Sequence, residues 1–163
     1  VAMGTLAFER GALTLGQQAA FEHEFHEICA DARRTGRWDD PSLRQQLASL
    51  WVRLRIMRWN SVRSLGVAES GELMPEAMIH KLYWAGLHRD MGEAAMDALG
   101  PEATLTPYGR ADNTHDADEM EAAHRLFFFT RSDTIYGGSN QIQRNVIGER
   151  ALGLPREPRP PAR

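Results

Sequence analysis

The stretch "DPSLRQQLASLWVRLRIM", residues 40–57, places Leu43, Leu47, Leu50, Leu54 and Met57 at intervals of four, three, four and three. That is the period of one helix face, and an apolar face of this kind has to be buried against another element. Asp40 can cap the helix start, and Pro41 fits the first helical position, where its missing N–H costs nothing. Working outward, apolar spacings of three and four recur almost everywhere and strand-like alternation is absent. A first helix is expected from about Met3 to Arg34, interrupted only by tolerated glycines. "TGRWDDPS" then reads as a loop, and the second helix ends near "ESGE". Pro75 opens a third helix, with Ile79, Leu82, Gly86, Met96 and Leu99 turned inward until Gly100-Pro101 stops it. Residues 101–114 read as loop. A fourth helix is expected from about His115 to Arg131, with Met120, Ala123 and Phe127 inside, and a fifth from about Ser139 to Leu152. The fold class is therefore all-α, an antiparallel bundle of about five helices over residues 1–153. Residues 154–163, containing "PREPRPPAR", read as a disordered tail.

The bulk properties fit a folded domain and exclude several classes. The chain has 163 residues, 42% of them hydrophobic, and a net charge of −3. With a pI of about 6.1 there is no global field to recruit nucleic acid. The single Cys29 rules out an intramolecular disulfide framework and fits a reducing compartment. No apolar run is long enough for a membrane span and no signal-peptide layout is present, so a cytoplasmic location is expected.

One further stretch points to chemistry. "IYGGSNQIQRNVIGERALGLPRE", residues 135–157, joins a Gly137-Gly138 turn to a Ser139 that can cap the helix after it. This run resembles the C-terminal signature of the acyl-CoA dehydrogenases, flavoenzymes that oxidise acyl-CoA thioesters, in Tyr136, Gly138, Ser139, Ile142, Gln143, Arg144, Arg150, Leu152 and Gly153. "VAMGTLAFERGALTLG" at the start resembles the first helix of the same C-terminal domain. The resemblance covers essentially the whole chain but only that domain. The family's N-terminal helical domain and central β-domain are expected to be absent from this sequence, which begins inside a helical pattern.

The resemblance implies bound FAD, an acyl-CoA substrate, an electron-transferring flavoprotein as acceptor, and a homo-oligomer or a heteromer with a related subunit. It implies a catalytic Glu just before Gly138, but that position is Gly137. In a subset of the family the base sits instead on the first helix, before an Arg, and "AFERG" puts Glu9-Arg10 there. Glu9 is accordingly the expected base, with the Gly137 N–H left to polarise the thioester carbonyl. Two carboxylates aimed at one carbon would repel, so the two departures explain each other. Arg10 and Gly138 are implied as substrate contacts. Spacing places Glu9 with Leu13, Gly16 and Ala20 on one helix face that can leave a slot for an acyl chain. The plain alternative is a solvated acid in a first helical turn.

Ser139 and Gln141 stand where family members touch FAD, with capping by Ser139 and simple exposure of Gln141 as the plain alternative. The family's Gln and Gly-Gly at the FAD adenine end are replaced by Asp97 and Gly100-Pro101. Arg33 or Arg34 stands near the place of another family arginine.

Three rival readings remain open. A carboxylate-bridged metal bundle needs paired Glu-x-x-His motifs. Only Glu121 and His124 have that spacing, while Glu22/His26 and His23/Glu27 lie one turn apart, so no metal is expected. A non-catalytic partner subunit would also suit Gly137 and Asp97. A bare helical interaction module would bind no flavin. Cys29 reads as a small core residue, and Tyr136 as packing or a turn hydrogen bond.

Overall fold

The computed structural model describes the backbone of residues 2–68, 78–104 and 122–156, and the side chains of residues 15–63, 78–104 and 122–156. Among the described residues five α-helices carry the fold: α1 (Ala2–Arg34), α2 (Pro41–Ala68), α3 (His80–Leu99), α4 (Ala122–Asp133) and α5 (Asn140–Val146). Single 3₁₀ turns at Arg37–Asp39 and Gly100–Thr104 follow α1 and α3, and α5 runs on into a π-turn at Ile147–Ala151. No strand occurs among the described residues. Pro75, His115, Met120, Glu121 and residues 157–163 lie outside them, as do the side chains of Glu9, Arg10 and Leu13.

α2 forms as its sequence dictates. One carboxylate oxygen of Asp40 accepts from the Ser42 N–H at 2.8 Å and the Leu43 N–H at 3.4 Å, satisfying two of the unpaired donors of the first turn. Leu43, Leu47, Leu50, Leu54 and Met57 are all buried. They pack on Phe21, Phe25, Ile28, Cys29 and Ala32 of α1 and on the inner face of α3. Cys29 is a core residue, and burial pushes its thiol pKa up.

α3 corrects the expected inward face. Ile79 is exposed, and Leu82, Gly86 and Met96 are only half-buried, whereas Leu99 is buried as expected. The buried face instead runs through Trp84, Ala85, Leu87, His88, Met91, Gly92, Ala94, Ala95, Ala98 and Leu99. The reason is close packing by small residues. A Cβ on Gly92 would stand 2.5 Å from Thr130 Oγ1 and 3.1 Å from Phe127 Cα, so α4 rides directly on the α3 backbone. On α4, Ala123 is buried as expected while Phe127 is half-buried. The ends of α1 and α3 are tied together: Thr35 Oγ1 donates to the Ala98 carbonyl at 2.7 Å. Gly100, at φ 63°, then breaks α3 where a side chain would strike Arg37.

Candidate functional site

The turn after α4 is built by backbone geometry that few residues other than glycine adopt. The N–H groups of Ile135 and Tyr136 both donate back to the Ser132 carbonyl, closing the end of α4. Gly137 and Gly138 follow at φ 65° and 97°, in the region that disfavours any Cβ. The Gln143 side chain donates to the Gly137 carbonyl at 2.9 Å, and a Cβ on Gly138 would meet that same amide at 2.8 Å. Ser139 caps α5 by accepting from the Ile142 N–H at 3.4 Å. Among the described residues the Gly137 N–H makes no hydrogen bond, and Gly137 is exposed. The turn thus carries a backbone donor without a partner at an exposed residue, which leaves it free to meet an incoming carbonyl oxygen.

Beneath the turn lies a charged network that the sequence pattern gave no sign of. Asp133, the last residue of α4, is fully buried and uses three acceptors. Its Oδ1 accepts from the Tyr136 hydroxyl at 2.8 Å, its Oδ2 lies 2.6 Å from His88 Nδ1, and its main-chain carbonyl accepts from Lys81 Nζ. The other ring nitrogen of His88 is 2.9 Å from a carboxylate oxygen of Glu24 on α1. Each ring nitrogen of His88 therefore faces a carboxylate oxygen. Phe21 stacks on His88 at 3.9 Å between centroids. Burial of the Tyr136 hydroxyl, with its hydrogen bond to Asp133 and that residue's charge, pushes the phenol pKa up to about 12. Lys81 Nζ sits over the rings of Trp84 and Tyr136, at 4.4 and 5.1 Å from their centroids. Desolvation lowers its pKa, with the Asp133 charge opposing.

The structure brings Gly137, Gly138, Ser139 and Gln141 together on this turn and the start of α5. Ser139 is half-buried and Gln141 exposed. Glu9 and Arg10 lie on α1, ahead of the described side chains. Their helix face continues through Gly16 and Ala20, both exposed, and a Cβ on Gly16 would meet nothing within 4 Å. Like the turn, this stretch of α1 is left uncovered by the chain's own packing. For a flavin, the fit rests on Asn140, whose side-chain oxygen is buried without a hydrogen-bond partner beside Ser139. A buried acceptor with no donor is costly and is usually satisfied by something. At the other end, Arg34 pairs with Asp31 and Glu102, and Arg33 lies over Trp38. Asp97 is exposed.

A separate cleft of about 460 Å³ opens between α1, α3 and α4, floored by Ile28, Ala95, Ala123 and Leu126 and edged by His23 and Glu27. Glu22 is engaged instead by Gln18 and Arg55. Among the described residues no three His, Cys, Asp or Glu side chains gather as a metal site, and no helix is long and apolar enough to cross a membrane.

Comparison with known proteins decides the family. The sequence profile of the acyl-CoA dehydrogenase C-terminal domain matches residues 1–152. The chain belongs to the acyl-CoA dehydrogenases. It is 45% identical over 157 residues to acyl-CoA dehydrogenase IpdE1 of Mycolicibacterium smegmatis, covering 96% of this chain and 37% of that protein. The IpdE1 of Mycobacterium tuberculosis is equally similar, with 38% of its length covered. The chain thus spans well under half the length of these relatives. Among solved structures, the Tcur3481-Tcur3483 steroid ACAD superposes with a TM-score of 0.70 at 22% identity, over 96% of this chain and 39% of that one. The ChsE4-ChsE5 complex from Mycobacterium tuberculosis gives 0.58 at 23% identity, over 80% and 36%. These likenesses establish the acyl-CoA dehydrogenase fold of the bundle.

Proposed function

We propose that this chain is the C-terminal half-site of an FAD-dependent acyl-CoA dehydrogenase that introduces a double bond next to an acyl-CoA thioester carbonyl. The observation that carries this reading is the turn at Gly137-Gly138, two consecutive positive-φ residues with an unpaired backbone donor at the exposed Gly137. Glu9 takes the proton from the carbon α to the carbonyl, and the Gly137 N–H receives the oxygen on which negative charge develops. Arg10 and Gly138 contact the thioester. Ser139, Asn140 and Gln141 would hold the flavin, which when bound would supply the acceptor for the β-hydride. The remaining flavin and CoA contacts belong to the N-terminal helical and central β-domains, so the isolated chain folds but does not turn over. An electron-transferring flavoprotein reoxidises the holoenzyme in the cytoplasm.

Both solved neighbours carry two-component names, and we infer a related subunit as partner for this chain too. The glycine at 137, with a lysine rather than a carboxylate beside it, also favours a second reading, a non-catalytic subunit that completes a heteromer.

One experiment separates the two. The full-length parent protein with its natural partners is mixed with straight-chain and steroid acyl-CoA thioesters, and flavin bleaching is followed for wild type and Glu9→Gln. Loss of bleaching at unchanged flavin content supports Glu9 as base. Bleaching that survives moves the base to another residue or subunit and leaves this chain a scaffold.

A further inference from the structure

We propose that Lys81 is the cation of the turn: its ammonium supplies a fixed positive charge that stabilises the thioester oxygen as negative charge develops there, and the same charge is why residue 137 carries no carboxylate. The inference rests on the reading that the turn receives a thioester carbonyl. Lys81 Cε would lie 3.3 Å from a Cβ on Gly137, and Nζ donates to the carbonyl of Asp133 at the base of the turn. Three contacts hold it there: the Asp133 carbonyl and the faces of Trp84 and Tyr136. None of them is a carboxylate oxygen, and the nearest buried carboxylate, on Asp133, is already divided between His88 and Tyr136. The charge is therefore held in place, screened from bulk water on its ring-covered sides, and, among the described residues, not neutralised by a direct ion pair. A preorganised charge of that kind favours a developing oxyanion without reorganising during the reaction.

The same geometry forbids a base at 137. A glutamate there would have Lys81 within ion-pair reach, and an opposite charge at that distance favours the ionised, weakly basic carboxylate. When Glu9 removes the α-proton, the C–H electron pair moves toward the carbonyl and then into the new double bond as the hydride leaves. Lys81 neither gives nor takes a proton in this sequence; it acts through its field alone.

The test uses the full-length flavoprotein with its natural partners, comparing wild type, Lys81→Met and Lys81→Arg by rapid-mixing flavin reduction with the thioester the wild type oxidises. Lys81→Met is expected to lower the limiting reduction rate by about tenfold or more while half-saturation, flavin content and melting temperature stay close to wild type. Lys81→Arg should recover the rate to within about threefold. A wild-type rate in Lys81→Met, or loss in half-saturation alone, overturns the proposal. If no thioester bleaches the wild type, the functional reading fails, and the charge is tested by melting Gly137→Glu with and without Lys81→Met. Lys81 at the turn predicts a larger loss from Gly137→Glu in the Met background, and equal losses overturn it.

Discussion

His88 and Asp133, 45 positions apart in the sequence, meet with Nδ1 2.6 Å from Oδ2 in a site where the Asp133 side chain is wholly shielded from water. The pair fastens the end of α4 to the middle of α3, and Glu24 extends it to α1. Because the turn begins at Asp133, its placement depends on this buried contact.

His88→Ala leaves the Asp133 carboxylate buried with one of its two partners gone. Leaving a buried acceptor short of a hydrogen-bond partner costs about 1–3 kcal/mol. Urea denaturation of the chain measures it, and the double variant with Asp133→Ala should lose clearly less than the sum of the two singles. Additive losses would mean that the pair is not coupled.

Gly92→Ala places a methyl 2.5 Å from Thr130 Oγ1 and 3.1 Å from the Phe127 backbone. Overpacking of this kind costs about 1–3 kcal/mol. Removing the hydroxyl with Thr130→Ala should recover part of that cost, while the backbone contact keeps the rest. A neutral Gly92→Ala, read by melting temperature, would refute the close approach of α3 and α4.

Tyr136 makes stability fall at high pH. Its folded pKa, about 12, lies above the ordinary phenol value of about 10. A raised folded pKa means stability that is fully present below pH 10 and is lost as pH rises toward 12. Melting temperature followed from pH 9 to 12 should decline more steeply in wild type than in Tyr136→Phe. Parallel curves would show that the hydroxyl titrates as if free.

Asp40→Ala removes the acceptor of the Ser42 and Leu43 N–H groups at the start of α2. The expected loss is about 1 kcal/mol, and Asp40→Asn should retain most of the stability. Equal losses for the two would assign the effect to the Arg37 ion pair at 3.0 Å instead.

How much of this was legible varies by element. α2 could be read whole, because large aliphatics on a strict period and a cap with proline behind it are local signals. α3 could be placed but not oriented. Its buried face sets Trp84, Leu87, Met91 and Leu99 among Ala85, Gly92, Ala94, Ala95 and Ala98, and large residues off that face, Ile79, Leu82 and Met96, give a competing pattern in the sequence. The α4–α5 turn was legible through its glycines and the capping Ser139. Lys81, His88 and Asp133 were not, since nothing across separations of 52 and 45 positions indicates that these side chains converge.

The turn stands on a buried anchor but keeps its own surface outside the core, and this divides its residues by how freely they can change over generations. Ile135, Tyr136, Gly137 and Gln141 lie exposed, so exchanges there are filtered by what the holoenzyme must do and by backbone conformation. Asp133 and His88 are filtered by survival of the fold itself. A lineage of such bundles can therefore shift its reactive residue from one helix to another, or lose it, while the scaffold beneath keeps the same two side chains in contact.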